Sequence, residues 1–325
     1  MLILATFMTV HFGEWRQSWH GMPRRTQVGG GGDHAIPESN EGVIAAIDYD
    51  SGDIIGSRIL DTPAGFAVIQ DRIYVNSMYG NHVTVLDGKF QVVDRFATRL
   101  MNDLHSVTEH DSNLLLTSSG TDSILEVSRA GAPLWSWLAS EHGFDRSPNG
   151  HHVSVDRGKD HRLTEIKTVS QATHCNSALR CTVQGRETVL ATLFHQGQLI
   201  AIDYLTGEHR VLVRGMHHPH SIRRRAGGWV IADSRSCAVV LLSDDFWVES
   251  ILESDFNWIQ DALPLSPDRL LVADANNNRL VEWDIQATLP VRSISVPPEW
   301  KIYQIEPVGG ELAQALRLAS AEGRG

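Results

Sequence analysis

The chain of 325 residues is 42% hydrophobic and 21% charged, which indicates a folded globular protein and excludes an intrinsically disordered one. Its 28 Lys and Arg residues against 39 Asp and Glu residues give a net charge of -11. This negative field argues against nucleic acid or an anionic membrane surface as the main partner. The three cysteines give no disulfide framework and are typical of a reducing compartment, so the sequence predicts a cytoplasmic protein.

The predicted elements at the start of the chain are three β-strands, over residues 1–10, 42–48 and 56–60. The first stretch is apolar but no basic residue precedes it, so we interpret it as a strand and not as a signal peptide. No run of 18 apolar residues occurs in the sequence, so no transmembrane helix is predicted. Residues 11–41, between the first two strands, form a long insertion.

Five similar units follow, and each contains two short apolar runs separated by a polar loop. These hairpins lie at residues 73–86, 114–127, 189–203, 229–242 and 270–284. One more short strand precedes each hairpin, and a turn with a further strand usually follows it. Four strands in a unit of roughly 40 residues are typical of a β-propeller blade.

The last strand, predicted around Gln304, has no room for a complete blade behind it. Because the three N-terminal strands supply the missing part, we expect an all-β, six-bladed propeller whose closing blade is shared between the two termini. The predicted domain covers residues 1–310, with insertions at 11–41 and 142–169, and a tail follows at 311–325. A seventh blade would have to lie within 142–169, where strand signals are weak.

The hairpin at 270–284 reads LLVADANNNRLVEWD, which strongly resembles the core of an NHL-type repeat, and the other hairpins are more divergent versions of it. Two further stretches are similar to the arylsulfotransferase propeller family. HCNS at 174–177 resembles its His-x-Asn-Ser strand, and GAPLWSW at 131–137 resembles its Gly-x-x-x-Trp-x-Trp strand. NHL-like amidating lyases have six blades and hold a metal through histidines of different blades. That resemblance implies that such a site is feasible here.

Candidate functional residues lie on the first strand of each predicted blade, because these strands line the central channel. His105, His220 and Asp261 each lie the same number of residues before the matching position in the second strand of their predicted blades. His174 lies in the blade between the two histidines, within about two residues of the same position. Three histidines and a carboxylate at a rigid channel mouth are transition-metal ligands, and Fe or Zn is the expected cofactor. We expect the histidines to bind the metal, with Asp261 as a fourth ligand or as the residue that orients a histidine.

The loops between the second and third strands share this face of the predicted propeller. They carry His195, a candidate acid or base, and Arg235, which could bind a carboxylate or sulfate through both of its terminal nitrogens. By the same topology the insertions at 11–41 and 142–169 fall on this face, where they would cover the mouth as catalytic lids do. The alternative for each of these segments is a solvated loop without a role.

The sequence therefore favours a metal-dependent lyase, hydrolase or oxygenase that acts on a small molecule at the channel mouth. The expected partner is a small-molecule substrate, with neither nucleic acid nor membrane. Two alternatives stay open. One is a metal-free transferase that resembles the arylsulfotransferases and uses a histidine nucleophile. The other is a non-catalytic NHL-like scaffold.

Overall fold

The computed structural model describes residues 1–14 and 41–322, and its strands form six antiparallel four-stranded sheets. The molecule is the six-bladed propeller that the sequence predicts. The closing blade contains β1 (Leu2–Phe7), β2 (Glu41–Asp48), β3 (Ile54–Asp61) and β24 (Ile302–Val308). Blade 1 contains β4 (Pro63–Ile69), β5 (Arg72–Ser77), β6 (His82–Leu86) and β7 (Val92–Phe96). Blade 2 contains β8 (Leu104–His110), β9 (Asn113–Ser118), β10 (Ser123–Val127) and β11 (Pro133–Leu138).

The remaining blades follow in chain order around the ring. Blade 3 contains β12 (Cys175–Val183), β13 (Arg186–Leu193), β14 (Gln198–Asp203) and β15 (His209–Val213). Blade 4 contains β16 (Pro219–Arg225), β17 (Gly228–Asp233), β18 (Ala238–Ser243) and β19 (Val248–Glu253). Blade 5 contains β20 (Ile259–Ser266), β21 (Arg269–Asp274), β22 (Arg279–Asp284) and β23 (Leu289–Ser295).

The two termini close the ring within one sheet. Strand β1 pairs antiparallel with β24, where Leu2 lies opposite Val308, and with β2 on its other side. The insertion at 142–169 adds no strand to any sheet, since its only β-bridge joins Arg146 and His152. Six blades, and not seven, are therefore present among the described residues.

Apolar side chains are buried between neighbouring blades, and each of the six interfaces has its own cluster. The middle strands are buried on both faces, as β2 and β9 show, whereas outer strands such as β7 are largely exposed. This explains why the middle strands read as continuous apolar runs in the sequence. The tail forms helix α1 (Gly310–Glu322), whose Leu312 and Leu316 join the cluster between the closing blade and blade 1. No helix in the described part of the chain is long and apolar enough to cross a membrane.

The innermost strands surround a central channel, and the sequence positions at their starts form two rings at one mouth. We call the residue just before each innermost strand the entry ring: Thr62, Asp103, His174, His218, Trp258 and Lys301. We call the second residue of each strand the inner ring: Ala64, His105, Asn176, His220, Gln260 and Tyr303. The first five entry-ring residues have positive φ, between 36° and 62°, so the backbone turns sharply where it enters the strand. Strained backbone of this kind is concentrated at functional sites.

Candidate functional site

The centre of the candidate site is a pair of residues on blade 2. Asp103 belongs to the entry ring and His105 to the inner ring, and Oδ1 of Asp103 lies 3.2 Å from Nε2 of His105. The other ring nitrogen of His105, Nδ1, lies 2.5 Å from the hydroxyl of Tyr303. Burial raises the pKa of Tyr303 well above its usual value, so this hydroxyl keeps its proton. The imidazole of His105 is thereby fixed in orientation by one partner on each side.

His174 of blade 3 joins this pair from the entry ring. Its imidazole packs edge-on against that of His105, with 4.5 Å between the ring centroids. Gln171 connects it to the carboxylate, because the amide nitrogen of Gln171 donates to Oδ2 of Asp103 at 3.1 Å. The amide oxygen of Gln171 must then accept a hydrogen bond from Nδ1 of His174. Nε2 of His174 is left with a free lone pair.

One ligand atom from each of Asp103, His105 and His174 can be chosen so that all three lie within 4.8 Å of one another. Two ligands at about 2.1 Å from one metal, at angles of about 90–109°, are separated by about 3.0–3.4 Å. The 3.2 Å between Asp103 and His105 falls in this range. The donor types of all three residues and the spacing of the Asp103–His105 pair therefore fit a transition-metal ion, with His174 as the nearby third donor.

His220 lies beside this group but outside it. Ser234 Oγ donates to the carbonyl of Ile259, so Nδ1 of His220 is the donor in its contacts with Ser234 Oγ at 2.6 Å and with the carbonyl of His218 at 2.9 Å. Nε2 of His220 therefore carries a lone pair. Burial, together with the nearby His105, holds the pKa of His220 well below its usual value, so the ring is neutral at neutral pH.

The same electrostatics apply to the other imidazoles of the mouth. Burial, with the neighbouring histidines, holds the pKa of His174 well below the usual range. Burial also lowers the pKa of His195, whose ring centroid lies 5.9 Å from that of His174. Burial, with Arg235 nearby, lowers the pKa of His218 to about 4. Neutral imidazoles are the form that binds metals and accepts protons.

The structure places Asp261 away from the histidines. Both of its carboxylate oxygens bind Arg223, at 2.8 and 2.6 Å, and Arg223 also donates to Glu306 at 2.6 Å. The sequence comparison put Asp261 level with His105 because it missed a second irregularity in β20, near Pro264, which lengthens that hairpin. The residue level with His105 is Gln260.

The loops of the predicted face are arranged around the mouth as follows. His195 donates from Nε2 to the carbonyl of Thr168 at 3.0 Å, which leaves Nδ1 as an acceptor. Arg235 is exposed in the loop between β17 and β18. Of the insertion at 11–41, residues 15–40 lie outside the described residues.

The insertion at 142–169 lies over the mouth. Its second half continues into Gln171, and we call residues 156–171 the roof segment. Asn102, next to Asp103, donates to the carbonyls of His161 and Thr164 at 2.7 and 2.8 Å. Asn81 donates to the carbonyl of Arg162 at 2.8 Å. These bonds fasten the roof segment on the face that carries His105 and His220.

Sequence reasoning missed Asp103, Gln171 and Tyr303. Asp103 lies two residues before His105, as His218 lies two before His220, and this shared spacing was the signal that could have found it. Tyr303 is separated from His105 by 198 positions in the chain. Their contact depends on ring closure, which no local pattern shows.

Comparisons with known proteins identify the fold. No family model and no curated protein matches the chain. A protein of unknown function from Bacteroides caccae is 14% identical, with a TM-score of 0.58 over 81% of this chain and 93% of its own. A chain of a nidogen–laminin complex is 9% identical, with a TM-score of 0.59 over 94% of this chain and 97% of its own. Virginiamycin B lyase from Staphylococcus aureus is 8% identical, with a TM-score of 0.51 over 72% of this chain and 70% of its own. At these identities the similarity shows the propeller fold alone, so the NHL-like and arylsulfotransferase-like resemblances stay predictions.

Proposed function

We propose that the protein is a metal-dependent enzyme that acts on a small molecule at the channel mouth. The observation that carries the proposal is the group of Asp103, His105 and His174, whose ligand atoms lie within 4.8 Å of one another. Two imidazoles and one carboxylate hold Fe(II) in one class of enzymes and Zn(II) in another, and both arrangements leave positions open for substrate. Fe(II) or Zn(II) is the proposed cofactor.

The surrounding residues support this assignment because they fix the ligands before any metal binds. Tyr303 orients His105, and Gln171 orients both His174 and Asp103, as partners of metal ligands commonly do. When bound, the metal supplies a Lewis acid that polarises a substrate oxygen.

His220 is the proposed base, since its Nε2 lone pair is unprotonated at neutral pH and stands beside the ligand group. A Lewis acid paired with a neutral base serves elimination and hydrolysis, so a lyase or a hydrolase is the proposed class. One structural neighbour is a lyase. We take the reaction class from the residues, because propellers host unrelated activities.

Metal binding tests the proposal directly. Elemental analysis of the purified protein should find one Fe or Zn per chain. Calorimetric titration of metal-stripped protein with Zn(II), and with Fe(II) under anaerobic conditions, should give one site. His105→Ala, His174→Ala and Asp103→Asn should each lower the metal affinity by at least about 100-fold, since removing a ligand costs more than removing its supporting partner.

His110→Ala is the matched control, because His110 lies at the opposite end of the same strand, β8. This variant should bind metal as the wild type does. Circular dichroism should show the propeller spectrum for every variant. Stoichiometry near zero in the wild type, or equal losses in His110→Ala and His105→Ala, would contradict the proposal.

A metal-free reaction is the second candidate, because Tyr303, His105 and Asp103 form a continuous chain with separations of 2.5 and 3.2 Å. A histidine held in this way can act as a base or nucleophile without metal. The metal-free transferase that the sequence left open, with a histidine nucleophile, is a reaction of this kind. A wild type that binds no metal, together with a Tyr303→Phe variant that changes the 15N chemical shifts of the His105 imidazole, would favour this candidate over the first.

A further inference from the structure

The central channel reaches the candidate site from the face opposite the roof segment. It is a cavity of about 530 Å³, which is within the usual range for small-molecule pockets. His105, His220 and Tyr303 line its upper end, and the exposed Glu109 and Gly309 line its lower end. Residues of the candidate site thus form the end of a passage that opens to solvent on the other face.

The upper mouth is fastened by the roof segment. Asn102 holds this segment through two hydrogen bonds, and Asn102 is itself 3% exposed. Gln171, at the end of the segment, is fully buried against Asp103 and His174. Moving the roof segment away would break these buried bonds, and Asp103 and His174 would lose their shared partner Gln171. Access from the lower face requires neither change.

The channel carries an excess of negative charge and of hydrogen-bond acceptors. Three acidic side chains line it, Glu109, Asp261 and Glu306, against two basic ones, Arg223 and Arg224. Arg223 binds both Asp261 and Glu306. Within the described residues, Oε2 of Glu306 accepts no hydrogen bond, since its contacts all involve Oε1. Asn176 is 3% exposed, lines the channel, and its Oδ1 has no partner there either. The buried Oδ1 of Asn176 without a donor, together with the partly exposed carboxylate of Glu306, favours a guest that brings its own donors or positive charge.

We propose that this channel is the entry route to the Asp103–His105–His174 site and that it admits small cations and hydrogen-bond donors in preference to anions. The proposal rests on the proposed function for what happens at the end of the channel, but passage through the channel is independent of it. It assigns the substrate to the class of small molecules without net negative charge. Metal ions would enter by the same route.

Cysteine labelling tests passage without any metal. Ser221 lines the channel, so Ser221→Cys places a thiol inside it; Cys181→Ser and Cys237→Ser remove the two partly exposed native thiols, while Cys175 is fully buried. The probes are two methanethiosulfonates of similar size, one with a trimethylammonium group and one with a sulfonate. Relative to a free thiol, the cationic probe should react at least 10-fold faster than the anionic one. Glu306→Gln should reduce this preference several-fold.

A second variant tests the direction of entry. Glu109 lies at the lower mouth, and Glu109→Trp should slow both probes about 10-fold by obstruction, with Glu109→Gln as the control for the lost charge. Loading of metal-stripped protein with Zn(II) should slow in parallel while the equilibrium affinity stays unchanged. Equal reactivity of the two probes, or labelling that Glu109→Trp does not slow, would overturn the channel proposal. Labelling as expected in a protein that binds no metal would overturn the proposed function alone.

Discussion

Asp122 controls the position of His174, and replacing it gives the sharpest test of how the site is built. Its carboxylate is 1% exposed and lies in the loop before β10. It accepts hydrogen bonds from the backbone N–H groups of Ala172, Thr173 and His174 at 2.5, 2.8 and 2.8 Å. The hydroxyl of Thr173 adds a fourth at 2.7 Å. This carboxylate of blade 2 therefore shapes the turn that leads into blade 3.

The expected cost of Asp122→Ala follows from these bonds. Three buried N–H groups would lose their acceptor, at roughly 1–3 kcal/mol each, and water entering the gap would recover part of this. We expect a total loss of about 3–5 kcal/mol in the free energy of unfolding, which corresponds to about 4–7 °C in Tm for a chain of this size. Because the turn also positions Gln171 and His174, metal affinity should fall by about 10–100-fold.

Asp274→Ala separates the two effects. Asp274 is fully buried and accepts a hydrogen bond from the N–H of Asn257 at 2.7 Å, in blade 5. It also binds Arg279 at 2.7 Å. Its loss should lower Tm by a similar amount and leave metal affinity unchanged. Calorimetric melting and metal titration of both variants are the measurements. If Asp122→Ala melts with the wild type, or melts early but binds metal normally, the argument from the turn is refuted.

Three further predictions concern stability. Burial lowers the pKa of Lys301 from 10.5 to about 8, so between these pH values the folded state binds fewer protons than the unfolded state. The free energy of unfolding should therefore rise with pH across this window, by up to about 3 kcal/mol, and urea titrations of Lys301→Met should lack the rise. Arg223→Ala leaves the carboxylates of Asp261 and Glu306 without their cation and should cost about 3–5 kcal/mol, of which Arg223→Ala/Asp261→Ala recovers part in the same assay. Leu312→Ala should cost about 2–4 kcal/mol by loosening α1 from the propeller, which calorimetric melting would show.

The fold was readable from the sequence because a blade is a local object. Each hairpin has its two strands and its turn within about 15 residues, and buried middle strands give the apolar runs that mark it. The shared closing blade followed from counting, since the last strand, β24, lacked partners and β1 to β3 lacked an innermost strand. Weak strand signals in the insertion at 142–169 favoured six blades over seven, and the structure has no strand there.

The position of a side chain along the channel was harder to predict, because one extra residue in a hairpin shifts which residue belongs to the inner ring. Counting back from β21 selected Asp261, yet irregularities at both ends of β20 make Gln260 the residue level with His105. His174 lies within the two residues that the sequence allowed, but in the entry ring. It lies just before β12, so it matches Asp103, and Asn176 is the residue that matches His105. Such irregularities leave no clear trace in a single sequence.

The search by equivalent positions also assumed one ligand from each blade, and the turn into β8 explains why this assumption missed Asp103. Asp103 precedes β8 in a sharp turn of positive φ, and this turn brings its Oδ1 to 3.2 Å from Nε2 of His105, so the two residues can share one metal from a single blade. His174 then needs to come only from the neighbouring blade, at the level of Asp103. A site assembled in this way uses two levels and two blades, and it leaves the opposite half of the mouth to other residues. His220 of blade 4 is the proposed base, and Tyr303 reaches across from the closing blade to orient His105. The ring therefore brings together unlike side chains from adjacent levels: the proposed metal ligands come from blades 2 and 3, the proposed base from blade 4 and the orienting hydroxyl from the closing blade.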